Sequence, residues 1–153
     1  MSWGNACWWL IYAFAAIAMQ AALPGLDFLL PGFILALQER RLFQTLLLGA
    51  AFTMAQEGMG SMFFGGTLLW YAVTAAAFYA ACSLFQGRSF LFIFLLSALL
   101  SGVRYVIFGF LSTLQDIPWE PSLLLDECFL QALLTPFIWA AASALRRGVK
   151  HEA

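Results

Sequence analysis

The chain is predicted to be all-α and polytopic, with six transmembrane helices in one integral membrane domain over residues 1–153 and a glycine-rich break between the third and fourth helices. Three observations predict this. Hydrophobic residues make up 63% of the chain and charged residues 10%, against roughly 25% charged in a soluble domain. Apolar runs recur along the whole length, so no stretch is polar enough for a separate soluble domain. Most of the basic residues fall where a six-span chain would place its turns and tails on one side.

A spanning helix needs ~20 apolar residues, or fewer where the bilayer or neighbouring helices adapt. The first helix is placed at about 8–23, stopped by Pro24-Gly25. The start of the chain, Met-Ser-Trp-Gly-Asn, lacks the basic region of a secretory signal, so this helix is expected to stay. The second, about 28–38, is short and carries Pro31, so it is either broken or begins as far back as Leu26. Glu39-Arg40-Arg41 makes a charged turn. The third helix, about 42–56, ends at the glycine segment, and the fourth covers 67–85. Gly87 is a helix-stop residue and Ser89 a candidate cap for the fifth helix, about 90–111. Residues 112–127, with Pro118 and Pro121, are the longest polar stretch. The sixth helix, about 128–145, runs into Arg146-Arg147-Gly148-Val149-Lys150.

Six crossings put both ends on one side. With both termini in the cytoplasm, Arg40, Arg41, Arg88, Arg146, Arg147 and Lys150 all lie inside, and no Lys or Arg falls in an outer loop. Asp27, Asp116, Glu120, Asp126 and Glu127 then gather outside. Asp126 and Glu127 read as the acidic first turn of the sixth helix.

Residues 49–79 organise the chain. Glu57 is the only acid between Glu39 and Asp116, and a carboxylate in so apolar a setting costs a few kcal/mol unless paired, protonated or wetted. Gly58, Gly60, Gly65 and Gly66 have the backbone freedom to end one helix, turn the chain and start another. Arg104 is the one basic residue left within a span. Fourteen steps of ~1.5 Å from Phe90 place it ~21 Å across a core ~30 Å thick, in the same outer half as Glu57. Either the two pair and relieve each other's desolvation, or Arg104 snorkels to the headgroups while Glu57 sits in water. These six residues are the candidate structural or partner site.

Ser97, Ser101 and Arg104 share one face of the fifth helix, and Ala72, Ala76 and Ala80 form a small-residue stripe on the fourth, a pattern that serves close helix packing. Gln20, Gln44, Gln56 and Gln131 are expected to make interhelical hydrogen bonds. Trp8, Trp9, Trp70 and Trp119 read as interfacial belt residues and Trp139 as core. No histidine lies within a span, no acids pair at helical spacing there, and no HExxH or Gly-rich loop followed by Lys occurs. No catalytic residue, cofactor, metal or nucleic acid is therefore expected, and the three cysteines, Cys7, Cys82 and Cys128, read as buried thiols.

Leu23-Pro24, the apolar run from Leu29 to Leu37 and the turn Gln38-Glu39-Arg40-Arg41 form one motif. Residues 49–69 form a second, in which a glycine-bearing short helix ends in a carboxylate, Glu57, with Gly65 eight residues later. Pro118-Trp119, the run from Gln131 to Pro136 and Ala144-Leu145-Arg146-Arg147 form a third. In this order they resemble the bacterial rod shape-determining MreD family, which usually has Asp where Glu57 stands. The resemblance implies a non-enzymatic scaffold subunit of the cell-elongation, peptidoglycan-synthesis complex in the bacterial inner membrane. Its implied partners are membrane lipid, an MreC-like single-spanning protein and other elongation-complex proteins. The MreD fold is similar to that of the S components of energy-coupling factor transporters. The alternative reading is therefore a carrier of a small molecule such as a vitamin, held in an outward pocket of the outer loops, Glu57, Arg104 and Trp119.

Overall fold

A computed structural model describes residues 3–58, 65–83, 89–116, 118 and 120–151. Among them the chain forms six helices and no strand: α1 (Trp3–Ala22), α2 (Leu30–Gln38), α3 (Leu42–Gly58), α4 (Gly66–Cys82), α5 (Phe90–Gln115) and α6 (Pro121–His151). Each predicted helix exists, and the ends move for local reasons. Ser89 caps α5 by accepting the Phe92 N–H, as a serine with an extended backbone should. Residues 112–115 continue α5, and α6 begins at Pro121, whose fixed φ suits a first helical position. The polar stretch between the two shrinks to residues 116–120, and Asp126 and Glu127 sit inside α6 rather than in its first turn.

α1, α5 and residues Pro121–Gly148 of α6 are each long and apolar enough to cross a membrane, and Gly66–Cys82 is a shorter apolar helix. α2 is different. Its nine residues are all buried, and at ~1.5 Å each they extend only ~13 Å, under half of a bilayer core. A helix apolar on every side is buried on every side, by lipid or by protein, and around α2 the cover is protein. α2 is accordingly the axis of the bundle, packed against α3, α4 and α6, while α1 closes on it at Gly32. A Cβ at Gly32 would overlap the Tyr12 ring, so the glycine sets how near α1 comes.

The connection from α1 to α2 reaches deep into the bundle. Tyr12, in the middle of α1, donates from its hydroxyl to the Phe28 carbonyl (2.9 Å). Arg104 and Gln131, in the bodies of α5 and α6, bond to Gly25 and Asp27. Segment 23–29 therefore folds back from the end of α1 to mid-depth before α2 begins. Irregular backbone at such depth is stable only where protein surrounds it, and residues 26–30 are all buried. Gly25 makes the bend at φ 96°, and a Cβ there would also strike the Glu127 carboxylate.

Polarity is inverted relative to a soluble protein. Phe14, Leu46, Val106, Phe110, Phe129 and Phe137 face outward, while Asp27, Gln56, Arg104, Gln131 and Thr135 are buried. So much contiguous apolar exterior fits a lipid surround. Inside, a backbone flaw is repaired by a neighbour. Pro136 cannot donate to the Ala132 carbonyl one turn earlier in α6, and the Ser97 hydroxyl of α5, shared with the Phe94 carbonyl of its own helix, offers that carbonyl a donor at 2.9 Å.

Candidate functional site

The polar interior is built around Asp27. It stands just before the first turn of α2, whose leading N–H groups have no helical acceptor. Its Oδ1 accepts from Leu29 N and Leu30 N, each at 3.0 Å, and from Gln56 Nε2 of α3 at 2.7 Å. Its Oδ2 accepts from Trp70 Nε1 of α4 at 3.2 Å. Gln131 of α6 clamps the same residue's backbone: its Oε1 accepts Asp27 N at 2.7 Å, and its Nε2 donates to the Asp27 carbonyl at 2.9 Å and to Thr135 Oγ1. Arg104 of α5 donates to the adjacent Gly25 carbonyl at 2.8 Å. Tyr12 of α1 holds Phe28. All six helices thus touch one four-residue piece of chain, 25–28.

The chemistry of the cluster follows from its donors. Four N–H groups point at one carboxyl group, three at Oδ1 and one at Oδ2, so both oxygens act as acceptors. Asp27 is 2% exposed and Arg104 4% exposed, so the guanidinium charge offsets the carboxylate in a dry setting without direct contact. Arg104 is stacked over Phe108, 5.2 Å from the ring centroid. Its Nε and Nη1 have no hydrogen-bond partner among the described residues. The arrangement is a lock centred on Asp27: its carboxylate and backbone bond to side chains from α3, α4 and α6, which ties those helices to the α1–α2 connection.

A second cluster closes the other end of α2. Arg146 near the end of α6 meets Glu39 through Nε at 2.9 Å and Nη2 at 3.2 Å, and also bonds Asn5 of α1. Gln44 of α3 donates to Glu39 at 2.7 Å and accepts from Asn5 at 2.9 Å. The Arg146 guanidinium covers the rings of Trp8 and Trp9 at 4.6 and 5.1 Å. Trp139 donates to Gln38 at 2.9 Å. Beside this cluster lies a recess of about 310 Å³ between the ends of α2 and α6. A separate apolar groove of about 500 Å³ runs along α5 and α6 over Ala98, Gly102, Cys128 and Ala132.

The predicted site residues do not converge. Glu57 and Arg104 do not pair among the described residues: the half-buried Glu57 accepts from Gly65 N at 3.1 Å, while Arg104 turns to Gly25 and the Asp27 charge. Nor does Arg104 snorkel, since it is buried. Gly58 ends α3, Gly65 adopts φ 75° ahead of α4 and Gly66 is buried at its start, while Gly60 and Trp119 lie outside the described residues. Asp27, expected among the outer acids, is instead the interior hub. Trp70, expected in the belt, is wholly buried with its indole on Asp27, and Trp9 is buried too. Gln44 and Gln56 make the interhelical bonds expected of them, Gln131 bonds instead to the α1–α2 connection and to its own helix, and the Gln20 amide oxygen has no partner among the described residues. Cys7 is exposed rather than buried. The signal for the hub was present in the sequence, an Asp four residues ahead of a proline at a helix start.

Searches against family models, curated proteins and solved structures give no match to this chain.

Proposed function

We infer that this chain is a non-enzymatic scaffold subunit in the bacterial inner membrane, MreD-like, serving the cell-elongation complex and its peptidoglycan synthesis. The observation that carries the reading is the tying of segment 25–28 to side chains of α1, α3, α4, α5 and α6. The Asp27 carboxylate and backbone are bonded by the chain's own helices, which suits a rigid body presenting its outside to partners better than a vessel for a small molecule. The α5 and α6 groove, floored by Ala98 and Gly102, offers the close approach that a partner helix uses. The MreC-like protein and other elongation-complex proteins belong to this proposal.

The chain is read as multi-pass with six crossings, both termini cytoplasmic. The second crossing is composite, formed by segment 23–29 and α2 together, because α2 is too short to cross unaided. Supporting this, the cluster at the end of α2 joins the start of α1, the start of α3 and the end of α6, as alternating passes require. Arg40, Arg41 and Arg147 lie at that same end, where the positive-inside rule wants them.

Two experiments test the reading. Purification in mild detergent, followed by identification of co-purifying proteins, is expected to return a single-spanning membrane protein. A stoichiometric vitamin-like molecule or an ATPase module would favour the carrier instead. Cysteine labelling in intact cells should find residue 88 and the C-terminal tail on one side, and opposite sides would defeat the topology.

A further inference from the structure

The recess between the ends of α2 and α6 joins two kinds of surface. Leu35 and Trp139 make an apolar floor; Glu39, Ser143, Arg146 and Arg147 make a polar rim. The rim charges are not equivalent. Arg146 is spent, bidentate on Glu39 and bonded to Asn5. Arg147 is exposed and, among the described residues, bonds only to its own helix, through Ser143 O at 3.3 Å and Ser143 Oγ at 3.5 Å. With one carboxylate against two guanidinium groups among the described lining residues, the recess keeps one uncompensated positive charge.

Apolar surface lies on the same helix turn: Leu145, next to Arg146 on α6, is exposed. A cationic rim on an apolar floor next to a greasy exterior matches a ligand with an anionic head and a hydrocarbon tail. We propose that this recess is a binding site for the headgroup phosphate of an anionic phospholipid, held by Arg147, with the glycerol and first chain carbons on Trp139 and Leu35. Arg147 presents a planar donor fork suited to phosphate oxygens, and Glu39 acts as the spacer that keeps Arg146 structural. The site needs this end of the bundle to reach a membrane surface and is independent of the scaffold role.

The test is native mass spectrometry of the detergent-purified full chain titrated with phosphatidylglycerol or phosphatidylcholine. The intact protein should retain phosphatidylglycerol about tenfold better, the worth of one charge-assisted hydrogen bond of ~1.5 kcal/mol. Arg147→Gln should abolish the preference and Arg147→Lys should keep part of it, with helicity by circular dichroism unchanged in both. Arg41→Gln removes the same charge from an exposed position outside the recess and should leave the preference intact. An equal loss in Arg41→Gln would show diffuse surface attraction and overturn the site. So would the absence of any preference in the intact protein, or displacement of the lipid by equimolar inorganic phosphate, which would mark a free-anion site.

Discussion

Replacing Asp27 is the sharpest test of how the bundle is held. Asp27→Ala would strand Leu29 N, Leu30 N, Gln56 Nε2 and Trp70 Nε1 and leave Arg104 an uncompensated buried cation. A buried donor left without an acceptor costs about 1 to 3 kcal/mol, and four at the low end come to ~4 kcal/mol. Breaking a buried charge pair by removing one member gives a similar figure of about 3 to 5 kcal/mol. The two overlap and do not add, so ~4 kcal/mol is expected, against a total stability on the order of 5–15 kcal/mol. Asp27→Asn keeps one oxygen for α2 and Gln56 but sets an amide N–H₂ against the Trp70 donor, so about half the loss is expected. The assay is reversible unfolding in mixed micelles with rising sodium dodecyl sulfate, followed by tryptophan fluorescence, to which buried Trp70 contributes. Glu57→Ala, which removes a half-buried carboxylate with one backbone donor, is the comparison and should cost under about 1 kcal/mol. If Asp27→Ala costs no more than Glu57→Ala, the carboxylate is not the hub and the reasoning fails.

Other outcomes follow from the same contacts. Arg104→Met in the Asp27→Asn background should recover part of the stability lost by Asp27→Asn, because a neutral partner no longer offsets the guanidinium; a double-mutant cycle should give a coupling of about 0.5 to 3 kcal/mol. Gly32→Ala should cost about 1 to 3 kcal/mol by driving its Cβ into Tyr12, and Tyr12→Ala should relieve the overlap, so that in the Tyr12→Ala background Gly32→Ala costs less. Ser97→Ala should destabilise by about 1 kcal/mol by leaving the Ala132 carbonyl without a donor beside Pro136, measured in the same micelle titration. Glu39→Ala should cost about 3 kcal/mol or more by isolating Arg146, and Glu39→Gln less because it keeps an acceptor.

The sequence by itself determined the all-helical class and the six helices, because apolar runs, prolines and caps act locally: Ser89 and the Pro24-Gly25 stop each work within one turn, whereas Pro121, read as part of a loop, proved to open α6. It also marked Gln44 and Gln56 as interhelical bonders, since an amide at membrane depth has few other ways to be satisfied. The tertiary structure alone decided which charge is central. Counting along the helices predicts one depth for Glu57 and Arg104, but partner choice depends on how segment 23–29 folds back, which no count of residues reveals. That fold-back carries Asp27 inward to meet α3, α4 and α6 and draws Arg104 to Gly25. A short apolar helix such as α2 reads the same from its sequence whether it faces lipid or protein, and only the packing of its neighbours makes it the axis.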